Sequence, residues 1–164
     1  MNFTNRLFLI ACLTLPMLVA CQAEQETREV VAEAPLTAPS NGDDNEWGTY
    51  LSQVVTRNME GVTNNPYLYY LPSEESEDFE GSYARLQQEV TAAMHRGILA
   101  GNLVAFGSPE SDKMADIVVA AFDGIDEASM KGVKLLFIGD AADSDRVQEA
   151  VAPAGVEYRF IPAT

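Results

Sequence analysis

Positive charge is what this chain has least of. Its 164 residues hold ten lysines and arginines against 25 aspartates and glutamates, a formal net charge of −15 at pH 7. The bases are scattered, with no Lys/Arg cluster. Nucleic-acid binding rests on neutralising phosphates, so that class is excluded. A protein of this overall charge is not drawn to anionic lipid by charge alone. Histidine occurs once, His95. It falls on the polar side of a helical stretch beside Arg96 and reads as a solvated imidazole, so no Ser-His-Asp arrangement is indicated. Neither G-x-x-x-x-G-K-[ST] nor G-x-G-x-x-G is present. No nucleotide and no cofactor are expected. Long apolar runs are also lacking. The longest, Leu7 to Ala20, is shorter than the about 20 residues needed to cross a bilayer.

That short run has its own meaning. Arg6 supplies a positive n-region, Leu7 to Leu18 an apolar core, and small residues follow, which is the pattern of a secretory signal. Leu18-Val19-Ala20-Cys21 then resembles the lipobox of bacterial lipoproteins. The resemblance covers only about the first 22 residues. It implies that residues 1–20 are removed, that Cys21 carries a diacylglyceryl group, and that its new amine is acylated. One acyl chain anchors a protein only marginally, and a multiply acylated cysteine anchors it stably. Gln22, rather than Asp, implies sorting to the outer membrane, with the protein facing the periplasm.

The scarcity of cysteine then becomes informative. The two cysteines are Cys12 and Cys21. If Cys12 leaves with the signal and Cys21 is the lipid site, the mature domain has neither a free thiol nor a disulfide. Thiol catalysis, zinc-thiolate sites and iron–sulfur clusters are then excluded.

Residues 21–44 are rich in Glu, Ala, Pro and Thr and nearly free of large apolar side chains. Such a composition does not offset the entropy of ordering, and a disordered acidic tether is expected. Residues 45–164 are enough for one α/β domain with a real core.

Within it, Trp47, Tyr50, Leu51, Val54, Val55 and Met59 recur at helical spacing, with Asp44 or Asn45 as cap. Residues 67–71, bracketed by Pro66 and Pro72, suit an extra edge strand. Phe79, Tyr83, Leu86, Val90, Met94 and Ile98 mark a second helix. The apolar runs at 103–106, 133–138 and 156–161 alternate with two further helical stretches. The first of these opens on Ser108-Pro109, and the second is capped by Asp143 or Ser144. The expectation is two N-terminal helices followed by β-α-β-α-β, forming a small, mainly parallel three-stranded sheet.

Ligands of open parallel sheets sit outside the carboxyl ends of the strands. There Asp140, Asp143, Asp145 and Glu110 form a weak candidate for a divalent cation. The competing reading is helix capping, favourable by about 0.3–1 kcal/mol per acid. The other candidate is the aromatic strip Tyr67, Tyr69 and Tyr70, as a partner-binding surface. Together these features suggest a lipid-anchored, non-enzymatic binding module of the envelope, resembling an inhibitor, an immunity protein or an accessory subunit. The alternative is a small metal-dependent or carboxylate-based hydrolase.

Overall fold

The computed structural model describes residues 34–164. The expected signal peptide, Cys21 and the first part of the expected tether lie outside the described residues. The elements are α1 (Asp44–Arg57), β1 (Tyr67–Tyr70), α2 (Phe79–Arg96), β2 (Leu103–Gly107), α3 (Ser111–Phe122), β3 (Lys134–Gly139), α4 (Ala141–Val151) and β4 (Glu157–Pro162). A short 3₁₀ turn, Ala152–Ala154, follows α4. The strands form one parallel sheet in the order β1-β2-β3-β4.

This corrects the expected sheet in two respects. It has four strands rather than three, because Tyr67–Tyr70 pairs along its full length with Val104–Gly107. The second helix is therefore not an N-terminal cover but the crossover between β1 and β2. Its apolar stripe is the same in either role, so periodicity alone does not distinguish the two. The mixed α/β class and the parallel direction hold.

Each crossover moves one strand in the same direction. Right-handed connections then put α2, α3 and α4 on one face of the sheet. Side chains alternate accordingly. Val104, Phe106, Leu135 and Phe137 pack with the three-helix layer. Leu103, Ala105, Leu136 and Ile138 point the other way, onto α1. β2 and β3 are thus buried on both faces, which explains why their sequences are continuous apolar runs. Burial of Phe106 or Phe137 stabilises by about 1.5–3 kcal/mol each.

α1 is an amphipathic helix that meets this second face with Trp47, Tyr50, Leu51, Val54 and Val55. Its cap lies one residue before the nearer of the two expected caps, Asp44. Asp43 is its N-cap, and the carboxylate accepts from the N–H groups of Asn45 and Glu46 at 3.0 Å. It runs antiparallel to the strands. Tyr70 Oη, at the end of β1, donates to Asp44 at 2.8 Å. At the other end, Lys134 Nζ donates to the Asn58 and Glu60 carbonyls.

Residues 34–43, assigned to the tether from composition, are a strap laid on the domain. Leu36 and Ala38 pack on the α1 cluster. Ala38 N–H donates to Thr164 O, Trp47 Nε1 to Asn41 O, and Arg57 Nη1 to Ala34 O. The packed chain therefore begins about ten residues before the expected boundary at residue 45. Composition missed this because backbone groups make most of these contacts.

The sheet edges are blunted. In a parallel strand, the N–H and C=O of one residue point to the same side, and the side alternates. Leu71 N–H donates to Gly107 O, so Tyr69 and Leu71 face β2. The outward set is Pro66, Leu68, Tyr70 and Pro72, two of which have no N–H. On β4, Glu157 and Ala163 donate inward, which turns Tyr158, Phe160, Pro162 and Thr164 outward. Proline on an edge discourages addition of a foreign strand. Replacing Pro66 and Pro72 together by Thr is expected to produce dimers or larger species in size-exclusion chromatography. A strictly monomeric double variant would show that the prolines are not what protects this edge.

Candidate functional site

All four helices begin at the carboxyl ends of the strands, and the strap passes over that end. Between them lies an open cleft of about 510 Å³. Gly139 lines it, and Gly107 lies at the neighbouring strand end. A Cβ at Gly107 would lie 2.4 Å from Leu51 Cδ2, and one at Gly139 2.5 Å from Ser111 Oγ. Only glycine lets α1 and the start of α3 approach the strand ends so closely. The strap, through Asn41 and Gly42, forms one wall with Trp47; Ser73 and Glu75 form another; Asp140 rims it.

The buried hydroxyls at this end hold loops together. Ser108 Oγ donates to Leu71 O at 2.9 Å and accepts from Glu110 N–H at 2.8 Å. That turn displaces the start of α3 from the expected Ser108-Pro109 to Ser111, with Glu110 as the residue before it. Glu110 Oε1 accepts from Ser73 Oγ at 3.1 Å and Glu74 N–H at 3.0 Å, which ties the β1–α2 loop to the β2–α3 loop.

Ser111 and Asp143 form the second knot. Ser111 Oγ donates to Asp143 Oδ2 at 2.7 Å and accepts from Asp140 N–H at 2.8 Å. Asp143 Oδ1 accepts from Arg146 Nε and Nη2 at 3.1 and 2.9 Å. Arg146 also reaches Asp116 and the Asp112 carbonyl. The expected cap role of Asp143 is corrected here. α4 starts at Ala141 after Asp140, and Asp143 sits within the first turn, facing α3.

The four acids of the cation candidate are not brought together. Asp143 is turned to Ser111 and Arg146, Glu110 to Ser73 and Glu74, while Asp140 and Asp145 are exposed. Among the described residues, no three His, Cys, Asp or Glu side chains are placed to hold a metal ion. The physical reason is that Glu110 and Asp143 are already used to brace the loops. His95 is exposed in the last turn of α2.

The three tyrosines do not form one surface either. Strand alternation sends Tyr69 into the three-helix core, stacked on Phe106 at 5.4 Å between ring centroids. Tyr70 turns to the α1 side. Only Tyr67, 44% exposed, faces solvent broadly. Burial, then the hydrogen bond to Asp44, then the nearby carboxylates of Asp44, Asp43 and Glu110 push the Tyr70 phenol above its ordinary value.

The cleft residues that sequence reasoning passed over are Asn41, Gly42, Trp47, Ser73 and Glu75. Only the turn-rich composition of 40–42 and 73–78 hinted at them. The bases nearest this end are engaged with acids: Arg85 with Asp78 at 3.0 Å, Lys113 with Glu74 at 3.9 Å, and Arg146 with Asp143 at 2.9 Å. The cleft rim is therefore acidic. No protein-family model, curated protein or solved structure matches the chain.

Two outcomes follow from these contacts. Asp143→Ala strands the buried Ser111 hydroxyl and removes an anchor of Arg146, so it is expected to lower unfolding free energy by about 1–3 kcal/mol in urea titration. An unchanged denaturation midpoint would rule out the structural role. For Tyr70, the folded-state pKa lies above the unfolded one, so the neutral phenol stabilises the fold below about pH 10. That contribution is lost as pH rises beyond the unfolded value toward the folded one. Tyr70→Phe should lower Tm at pH 8 modestly and decline less than the parent between pH 9 and 11. A parallel decline in both proteins would contradict the assignment.

Proposed function

We propose that this protein is a lipid-anchored envelope module, facing the periplasm, whose acidic carboxyl-end cleft binds a basic partner rather than catalysing a reaction. The observation that carries the reading is how the polar side chains at the cleft are used. Ser108, Ser111, Glu110 and Asp143 are each spent on loop-to-loop hydrogen bonds. The carboxylates left facing outward at the cleft are Glu75 and Asp140, and the exposed Asp43 and Asp44 line the adjoining pocket. An acidic rim around a shaped cleft suits electrostatic steering of a positively charged surface. The resemblance of Leu18 to Cys21 to a lipobox supplies the anchor.

The hydrolase alternative needs carboxylates that converge on a substrate or a metal. Of the four acids suggested for it, Glu110 and Asp143 are turned to separate partners, and Asp140 and Asp145 are exposed. An inhibitor of a basic enzyme, or an accessory subunit docking on a basic neighbour, is compatible with the same face.

The test uses the acylated full-length mature protein, solubilised from membranes and immobilised through a C-terminal tag. A basic partner captured from the same envelope fraction should bind the Glu75→Lys/Asp140→Lys variant at least about tenfold more weakly, and bind the parent more weakly as salt rises. Both substitutions are at exposed sites, so Tm should stay close to that of the parent. A partner held equally by parent and variant would remove the cleft from the interaction. Hydrolysis that is lost in Asp140→Ala at unchanged stability would replace this reading with the enzymatic one.

A further inference from the structure

We propose that the amino-end pole of the sheet is the membrane-facing surface of this domain, resting on anionic phospholipid headgroups through Leu99, with the cleft held at the opposite, distal pole. The inference rests on the Cys21 anchor reading and adds to it a direction.

Three independent observations carry it. The first is where the chain enters. Followed toward the N-terminus, the strap leaves the cleft at Gly42, meets Thr164 at Ala38, and continues along α1 to Ala34. There the Ala34 carbonyl accepts from Arg57 Nη1, in the last turn of α1, at 2.6 Å. That turn lies at the amino ends of the strands, as the Lys134 bonds to the carbonyls of Asn58 and Glu60 show. Cys21 is thirteen residues further on. Thirteen residues span at most about 45 Å, and the chain that runs to the anchor leaves the described domain at the pole away from the cleft.

The second is an exposed apolar side chain at that same pole. Leu99, in the α2–β2 loop, is 79% exposed, the most of any large hydrophobic residue among those described. Its loop is rigidly placed. Asn102 Nδ2 donates to Leu99 O at 2.9 Å, Gly101 N–H to Gly132 O at 2.8 Å, and Thr63 N–H to Gly101 O at 2.9 Å. A leucine presented on a braced turn is suited to enter the headgroup region.

The third is charge asymmetry. The acids of the four helix starts collect at the cleft pole. At the other pole Arg57, Arg96, Lys131 and Lys134 nearly balance Glu60, Asp123, Asp126, Glu127 and Glu157, so it is close to neutral. The domain as a whole is repelled by an anionic surface, and the repulsion is least when the acidic pole points away. The anchor holds the domain at the surface, and charge selects its orientation.

The acylated protein offers a clean readout. An acylated Cys21 has no free thiol, so a single introduced cysteine is labelled alone. Ala100→Cys and Asp145→Cys forms, each carrying an environment-sensitive fluorophore, are reconstituted into phosphatidylethanolamine–phosphatidylglycerol vesicles containing headgroup-level quencher lipid. Intact mass is read on each. With acylation verified, the label at 100 should be quenched about threefold more than that at 145, and Leu99→Glu in the first form should abolish most of the difference. Equal quenching at both positions, or stronger quenching at 145, on acylated protein overturns the orientation and leaves the anchor standing. An intact difference in Leu99→Glu overturns the Leu99 contact. A mass without acyl groups overturns the anchor reading and this inference with it.

Discussion

β2 and β3 have no polar face. Their nine side chains from Leu103 to Phe106 and from Lys134 to Ile138 are buried save for Lys134, so each strand needs cover on both sides. Three crossover helices can cover only one side, because right-handed connections in a sheet of sequential order all fall on the same face. The other face would present Leu103, Ala105, Leu136 and Ile138 to water. α1 meets that need, and the strap completes it with Leu36 and Ala38. The domain's N-terminal strap and helix are thus a requirement of its middle. α1 works from outside the β-α repeat, and its tight fit is visible in Gly107, where no larger residue clears Leu51.

The same topology shapes the cleft. In doubly wound sheets the crevice arises where crossovers reverse direction. A sheet ordered 1-2-3-4 has no such reversal. The wall that a second set of βα loops would provide is supplied here by residues 39–42, pressed against Ser73 at Gly42. The loops opposite are cross-braced by Glu110 and by Ser111 with Asp143. The polar residues at the strand ends hold the cleft open as a shape, and its rim charge is left to the acids that the bracing does not consume.

Much of the fold was legible in the sequence, since 3.6-residue and continuous apolar patterns mark Trp47 to Val55, Phe79 to Met94 and the central strands directly. Pro66 and Pro72 suggested an edge strand, and the sheet contains it. The role of the second helix was not legible, because a stripe facing three strands looks the same as one facing four. The site was legible in location alone. Which way Asp143 turns depends on Ser111, thirty-two residues away, and where Tyr70 points depends on strand alternation combined with Asp44. The strap was hidden for a different reason. It is held by backbone donors and acceptors at Ala34, Ala38 and Asn41, and these carry no sequence signal.

The bond from Ala38 to Thr164 joins the first described stretch of the domain to its final residue. The rest of the sheet needs no such long-range closure, because every strand pairs with the one made just before it. A chain threading out N-terminus first can zip the sheet strand by strand, each new partner already waiting and each loop short. The strap's tie waits longest, since its acceptor at Thr164 lies beyond β4. Assembly therefore has a built-in order. α1 can settle only on a sheet that already holds β2 and β3, and the bond at Ala38 closes after β4 has docked.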